Sequence, residues 1–132
     1  MPKTKVLIVD DQREVYAVCS AVLQKHGFEP IVAVNGKEGL DTYDKFQHEI
    51  CLTLLDVSMP VMNGIEAARC LFAKYSHPNV ILMTGYATAD IVPEDVSRLC
   101  SVLQKPYSPQ ALMEAVRKCL DYEADRSSST NA

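Results

Sequence analysis

The sequence predicts an α/β protein in which five parallel strands form one doubly wound sheet. Short, continuous apolar runs alternate with longer stretches whose apolar residues recur every three or four positions, and this alternation repeats five times. The length of 132 residues fits a single domain. Because successive parallel strands are joined by right-handed helical crossovers, five such units give one sheet with helices on both faces.

The predicted strands are short runs rich in β-branched and other apolar residues. Runs of this kind, without polar alternation, are typical of strands that are buried on both faces. The five runs cover residues 5–9, 30–34, 51–55, 79–83 and 101–104.

The predicted helices follow the strands in order. The first has apolar residues at helical spacing from Val15 to Leu23 and a stop signal at Gly27. The second covers residues 38–46, the third runs from Asn63 to about Tyr75, and the last begins near Ser108. These lengths and spacings indicate helices that each bury one face.

The fourth helical stretch, residues 87–99, contains Pro93. Proline costs about 3 kcal/mol in a helix interior, so we expect this helix to begin near Val92 with Pro93 in its first turn. After Tyr122 the chain is polar and offers nothing to bury. We therefore predict a domain over residues 1–122 and a disordered tail over residues 123–132.

Composition excludes several classes of function. The net charge is −4 and no basic stripe is present, which argues against direct binding of nucleic acid. No apolar stretch reaches the roughly 20 residues that span a bilayer, and no signal peptide precedes the first strand. These features predict a cytoplasmic protein without a membrane partner.

The cysteines and histidines show no ligand spacing. Five cysteines are scattered without a C-x-x-C pair, and we expect them to be buried free thiols that pack as small hydrophobic groups. The three histidines lie in polar surroundings near the ends of predicted elements. The cysteines are Cys19, Cys51, Cys70, Cys100 and Cys119, and the histidines are His26, His48 and His77.

Charged or hydroxylic residues follow four of the five predicted strands. Asp10 and Asp11 follow the first strand, Asp56 the third, Thr84 the fourth and Lys105 the fifth. In an open parallel sheet, ligands bind where the carboxyl ends of the strands meet the following loops. We therefore expect these five residues to form one site.

The chemistry of such a site can be derived from its charges. Three carboxylates and Lys105 sum to −3 + 1 = −2, which one Mg²⁺ would neutralise. Lys105 suits an anionic oxygen rather than a metal, and the Thr84 hydroxyl can donate to another such oxygen. A carboxylate can attack phosphorus to form an aspartyl phosphate. The set of groups thus favours phosphoryl transfer.

Four segments resemble the response-regulator receiver family over about residues 5–120. They are residues 6–11 (VLIVDD), residues 54–64 (LLDVSMPVMNG), residues 83–86 (MTGY) and residues 104–107 (QKPY). The D-x-x-M-P-x-M-x-G run with the other three segments in order is specific to this family. The resemblance implies a flavodoxin-like (βα)5 fold.

The resemblance also implies roles for residues around a Mg²⁺ ion. Asp56 would be the phosphoacceptor and a metal ligand, and Asp11 would bind Mg²⁺ directly. Asp10 would act through bound water, and the backbone carbonyl of Ser58 would be a further ligand. Thr84 and Lys105 would hold the phosphoryl oxygens, and the Lys105–Pro106 peptide bond would be cis.

The implied function is that of a phosphoacceptor in a two-component system or phosphorelay. The phosphoryl donor would be a phosphohistidine of a sensor histidine kinase or a histidine phosphotransfer protein. The output surface would comprise the predicted fourth helix, fifth strand and fifth helix. Such a domain is not a dedicated enzyme, although it would catalyse its own phosphorylation and slow self-dephosphorylation.

Three features depart from the family pattern. Val102 stands where many members have an aromatic residue that swings inward on phosphorylation, so we expect a weaker or differently routed response. Tyr86 and Tyr107 flank the site, and we expect them to be half-buried packing aromatics. Gly85 follows Thr84 where alanine is common, and Pro93 lengthens the preceding loop.

Other classes of function fit the sequence less well. A dedicated phosphohydrolase would need a second catalytic carboxylate near Asp56, and residue 58 is serine. A flavodoxin-type binding module would have a phosphate-cradling turn after the first strand, where Asp10 and Asp11 stand. A receiver that binds partners without phosphorylation is disfavoured because all five site residues are present.

Overall fold

The computed structural model describes residues 4–59, 61–85 and 97–130, with the backbone alone for residues 121–130. Five strands form one parallel sheet, and helices follow them in the chain. The strands are β1 (Lys5–Val9), β2 (Glu29–Ala33), β3 (Ile50–Asp56), β4 (Val80–Thr84) and β5 (Ser101–Gln104). The helices of the described part are α1 (Arg13–Lys25), α2 (Gly36–Phe46), α3 (Gly64–Lys74) and a C-terminal helix, Pro109–Thr130.

The strand order is β2-β1-β3-β4-β5, with all neighbouring strands parallel. The chain starts at β1, winds to β2 at one edge, and then crosses to β3 and onward to β5 at the other edge. This order reverses direction between β1 and β3, which is the position where doubly wound sheets bind ligands. The predicted fold class is confirmed.

Two hydrophobic cores lie on the two faces of the sheet. One contains Cys19 and Leu23 of α1 together with Leu112 and Val116 of the C-terminal helix. The other contains residues of α2 and α3, among them Leu71, which is 1% exposed. All residues of β3 and β4 are buried, as expected for strands covered on both sides.

Asparagine caps start two of the helices. The side-chain oxygens of Asn35 and Asn63 accept hydrogen bonds from the backbone N–H groups of Glu38 and Glu66, at 2.8 and 2.9 Å. Each such cap is worth about 1 kcal/mol. Helix α1 ends before Gly27, whose φ of +87° is the left-handed conformation that glycine adopts without strain.

Element boundaries differ from the predictions by one or two residues. Strand β2 begins one residue earlier than predicted, at Glu29, and accommodates Pro30 because it is an edge strand that pairs with β1 alone. Helix α2 begins at Gly36 rather than at residue 38, because Asn35 provides its cap. Strand β5 has the predicted bounds.

The C-terminal helix runs to Thr130, whereas the sequence analysis predicted a disordered segment over residues 123–132. The described part of this tail contains no glycine or proline, and Glu123, Ala124 and Arg126 favour continued helix.

The predicted fourth helix and Pro93 lie outside the described residues, apart from residues 97–99. Of these, residues 97 and 98 form a turn. No helix in the described ranges is long and apolar enough to cross a membrane.

The cysteines are only partly as predicted. Cys19 and Cys51 are buried thiols that form no disulfide with the described residues, but Cys70 is an exposed thiol and Cys100 is bonded to Cys119 in a disulfide. The two bonded cysteines are 19 positions apart in the sequence, a spacing that did not indicate the bond. The two cysteines meet because the start of β5 packs beside the C-terminal helix.

Candidate functional site

Three carboxylates meet at the carboxyl ends of β1 and β3. One oxygen from each of Asp10, Asp11 and Asp56 lies within 4.8 Å of the others. Asp10 is fully buried and Asp56 is 3% exposed, whereas Asp11 is exposed. The sheet brings them together because β1 pairs with β3 and both strands end at the same edge. Their clustering confirms the predicted convergence of these residues.

Lys105 reaches two of these carboxylates from the loop after β5. Its ammonium nitrogen is 2.9 Å from Oδ2 of Asp10 and 3.3 Å from Oδ1 of Asp56. The backbone N–H of Lys105 donates to the carbonyl oxygen of Thr84 at 2.7 Å, which fixes the start of the loop. The Lys105–Pro106 peptide bond is cis, as the resemblance implied.

Backbone donors orient the two buried carboxylates. The N–H of Gln12 donates to Oδ1 of Asp10 at 2.8 Å, and the N–H of Ser58 donates to Oδ1 of Asp56 at 3.3 Å. The N–H of Val57 donates to the Met83 carbonyl at 2.9 Å, so the chain beyond Asp56 stays attached to β4. These bonds hold the carboxylates in place without depending on mobile side chains.

Thr84 is at the end of β4, beside the end of β3. Met83 is the sheet partner of Asp56, and Thr84 is the next residue in the chain. Thr84 is 1% exposed, and across the sheet it pairs with Gln104, the residue before Lys105. The fold therefore brings all five predicted residues to one edge of the sheet.

Gly64 explains why the motif after Asp56 ends in glycine. A Cβ at this position would overlap the backbone carbonyl oxygen of Asp56 and would lie 2.8 Å from its carbonyl carbon. The N–H of Gly64 also donates to the Val57 carbonyl at 3.1 Å. Helix α3 can thus begin directly against the strand end that carries Asp56.

Gln12 is a site residue that the sequence analysis missed. Its side-chain oxygen accepts a hydrogen bond from the Lys105 ammonium at 3.2 Å. Gln12 also stands at the N-cap position of α1. A single exposed glutamine before a helix has no distinctive pattern, so its proximity to Lys105 emerges only from the packing of α1 against the loop after β5.

The pKa of Asp56 is raised above its ordinary value. Burial is the main cause, the charge of Asp10 adds to it, and Lys105 and the Ser58 N–H partly oppose it. The ionised cluster is therefore disfavoured in the absence of a cation. Hard carboxylate oxygens at this spacing are the donors that Mg²⁺ prefers, so the residues present fit this ion.

The tyrosine beside the site packs as predicted. Tyr107 is partly buried against the core that holds α1, and its hydroxyl donates to Sδ of Met83 at 3.2 Å. Burial raises the pKa of Tyr107, and burial also raises the pKa of the neighbouring Cys19 thiol to about 12. Val102 is partly buried in the opposite core, and Tyr86 lies outside the described residues.

Curated relatives cover most of this chain. It is 31% identical over 126 residues to sporulation initiation phosphotransferase F of Bacillus subtilis (strain 168), covering 95% of this chain and all of that protein. It is 34% identical over 116 residues to the transcriptional regulatory protein CpxR of Escherichia coli (strain K12), covering 88% of this chain and 49% of CpxR. The chain thus spans about half the length of that regulator.

Solved structures share the fold. The response regulator protein TrrA of Thermotoga maritima, solved in complex with Mg²⁺ and BeF, superposes with a TM-score of 0.78 at 28% identity, covering 88% of this chain and 98% of TrrA. TrrA has also been solved with the histidine kinase ThkA, with a TM-score of 0.77 to this chain at 28% identity and coverage of 89% and 98%.

The family model described as the response regulator receiver domain matches residues 6–117. That span begins in β1, ends in the C-terminal helix and includes every residue of the site. With the strand order, the carboxylate cluster and the relatives, this match is decisive: the chain belongs to the response regulator receiver domain family.

Proposed function

We propose that Asp56 accepts a phosphoryl group from a phosphohistidine donor, with Mg²⁺ bound beside it. The observation that carries this proposal is the position of the Asp56 carboxylate. It lies within 4.8 Å of two other carboxylate oxygens and 3.3 Å from the Lys105 ammonium. A buried carboxylate with these neighbours is suited to hold a strongly anionic group that arrives with a cation.

In the transfer step, an Asp56 carboxylate oxygen forms a bond to phosphorus. The bond between phosphorus and the donor imidazole nitrogen breaks, and its electron pair returns to the imidazole. Lys105 exchanges its contact with the Asp56 carboxylate for contacts with phosphoryl oxygens, and the Thr84 hydroxyl donates to another. The chain contributes positioning and charge neutralisation, which dominate catalysis of phosphoryl transfer.

Asp11 and Asp56 would bind Mg²⁺ directly, Asp10 through bound water, and Ser58 through its backbone carbonyl. Bound there, the ion offsets the negative charge of the carboxylates and the incoming phosphoryl oxygens. Asp10 keeps its ion pair with Lys105 at 2.9 Å, which orients the ammonium toward the reacting oxygens.

Self-phosphorylation from small donors and slow self-dephosphorylation follow from the same groups. Residue 58 is an exposed serine, and a serine does not serve as a general base toward water. The aspartyl phosphate would therefore be lost slowly, and the domain would not act as a dedicated hydrolase.

The partner that supplies the phosphoryl group would be a sensor histidine kinase or a histidine phosphotransfer protein, by analogy with the kinase complex of TrrA. The output surface would be the predicted fourth helix, β5 and the C-terminal helix. The receiver unit would comprise residues 1–122, with residues 123–132 as a tail that is not part of it, and we place it in the cytoplasm.

The test is to incubate the protein with MgCl₂ and acetyl phosphate and to locate the modification by mass spectrometry. We expect one phosphoryl group on Asp56 and none in Asp56→Asn. Beryllofluoride with Mg²⁺ should bind wild type and not that variant. Asp41→Asn, which changes an exposed carboxylate on α2, is the matched control and should behave as wild type. Phosphorylation of a serine or histidine in place of Asp56 would overturn the proposal.

A further inference from the structure

The disulfide joins the sheet to the C-terminal helix. Cys100 directly precedes β5, and its backbone N–H donates to the Val80 carbonyl at 2.8 Å, at the start of β4. Its bonded partner, Cys119, is fully buried on the helix, and the two Cα atoms are 5.6 Å apart. The bond therefore links the amino end of the sheet to the middle of the helix.

Cys100 lines a cavity of about 820 Å³ at the amino ends of β4 and β5. The end of α3, the loop before β4 and residues 97–100 form its walls, and Lys118 borders it from the C-terminal helix. The carboxylate cluster lies at the opposite, carboxyl end of the strands. The cavity is thus separate from the phosphoryl site, and its volume is within the range of small-molecule pockets, ~300–1,000 Å³.

The described residues of the cavity wall carry positive charge. Lys74, Arg98 and Lys118 line it, and no acidic side chain is among the described residues of its wall. Lys74 is paired with Asp44 at 3.1 Å, and the Arg98 guanidinium lies 5.3 Å from the centre of the Phe72 ring. Cations that line a concave site raise the local concentration of anions.

We propose that this cavity admits an anionic low-molecular-weight thiol of the glutathione type, and that Cys100–Cys119 is a reversible thiol–disulfide exchange site. Cys100 is a partly exposed residue that lines the cavity, whereas Cys119 is fully buried, so the incoming thiolate attacks Cys100. The proposal does not depend on phosphorylation of Asp56.

The exchange balances in two steps. In the first, a glutathione thiolate bonds to Sγ of Cys100, the Cys100–Cys119 bond breaks, and Cys119 leaves and takes up a proton. In the second, another glutathione thiolate attacks the glutathione sulfur of the mixed disulfide, which releases the Cys100 thiol and oxidised glutathione. Oxidised glutathione drives the same steps in reverse, so it is the oxidant that restores the bond.

The redox state of this cysteine pair should set the melting temperature of the protein. A disulfide that closes a loop with a sequence separation of 19 restricts the unfolded chain, and its reduction should lower Tm by roughly 10 °C in a protein of this size. Cys100→Ser should melt at the temperature of reduced wild type and should ignore reductant. Cys70→Ala, which removes the exposed free thiol, is the control and should respond as wild type does.

The first experiment places wild type in buffers of graded reduced and oxidised glutathione and measures intact mass without reduction. We expect interconversion of disulfide and dithiol forms, and a glutathione adduct on Cys100 in Cys119→Ala. The proposal would be overturned if the disulfide stayed intact at every ratio of reduced to oxidised glutathione, or if the adduct formed on Cys70 alone.

The second experiment tests the recognition of an anion. Arg98→Gln and Lys118→Gln should each slow reduction by glutathione about three-fold at low ionic strength, and should leave reduction by uncharged 2-mercaptoethanol unchanged. Lys37→Gln, which removes a cation of α2 outside the cavity, should change neither rate. Equal rates with glutathione for all three variants and wild type would exclude the cavity as the route of entry.

Discussion

At the scale of single residues, Thr53 lies fully buried in the middle of β3, between Leu7 of β1 and Val80 of β4. Its hydroxyl oxygen has no hydrogen-bond partner within the described part of the protein. A buried hydroxyl without a partner costs about 1–3 kcal/mol. The strand retains threonine at a position where valine has the same shape and no such cost.

Thr53→Val should therefore raise the free energy of unfolding by about 1 kcal/mol. Urea unfolding followed by circular dichroism measures this change, which should appear as a higher midpoint with an unchanged slope. A lower midpoint would mean that the hydroxyl has a bonding partner in solution.

The raised pKa of Asp56 has a consequence for stability in the absence of metal. The folded protein holds the Asp56 proton more tightly than the unfolded chain, whose pKa is near 3.8. The stability penalty of the ionised carboxylate is absent below the unfolded pKa and grows as pH rises through the folded one. In EDTA, Asp56→Asn should thus be more stable than wild type at about pH 7, and the difference should vanish at acidic pH below both pKa values.

Urea unfolding across this pH range checks the prediction. Asp41→Asn, at an exposed position, should follow wild type throughout. A stability difference that stays constant with pH would assign the effect of Asp56→Asn to packing rather than to charge.

At the scale of elements, the junction between β3 and α3 depends on close backbone approach at Gly64. The atoms that a Cβ would meet belong to the backbone of Asp56 and Val57, which cannot move aside without shifting the strand end. Gly64→Ala should lower the free energy of unfolding by about 1–3 kcal/mol, as overpacked core substitutions do. It should also weaken beryllofluoride binding, because Asp56 would be displaced.

Gly85→Ala is the matched control for this substitution. Gly85 follows β4 at the same edge of the sheet, and among the described residues a Cβ there would meet nothing within 4 Å. The control should keep the stability and beryllofluoride affinity of wild type. Equal behaviour of the two alanine variants would contradict the packing argument for Gly64.

The elements show where sequence reasoning succeeds. Strands β1 and β5 have their predicted bounds because each apolar run is followed at once by polar residues. Asp10, Asp56 and Lys105 converge as predicted, since parallel strands end at a common edge. The Gln12 contact and the pairing of Cys100 with Cys119 were not predictable, because each joins side chains whose proximity depends on how a helix packs.

At the scale of the whole molecule, the cluster of three carboxylates makes folding and Mg²⁺ binding interdependent. An ion that binds the folded state alone stabilises it by RT ln(1 + [Mg²⁺]/Kd), or about 1.4 kcal/mol at ten times Kd. For a protein of this size, that is a rise in Tm of roughly 5 °C. Differential scanning fluorimetry with MgCl₂ titrated against EDTA measures it.

Asp11→Ala should remove this rise in Tm, because the variant lacks a proposed Mg²⁺ ligand. Asp11 is the exposed carboxylate of the cluster, so its loss leaves the core intact. It should also raise the metal-free Tm by relieving repulsion among the carboxylates. Asp41→Ala should keep the full response. A wild-type Tm that ignores Mg²⁺ at tens of millimolar would rule out the metal site.

Strand β5 has a consequence that concerns both ends of the sheet. Cys100 precedes its first residue and Lys105 follows its last, so a segment about 17 Å long connects a redox-active sulfur to a contact of the buried carboxylates. If beryllofluoride binding at Lys105 changes the equilibrium between the disulfide and dithiol forms by some factor, thermodynamic linkage requires the redox state to change beryllofluoride affinity by the same factor. Strand β5 would then couple phosphoryl-group binding to the redox state of Cys100, and a measurement of the effect in either direction determines the effect in the other.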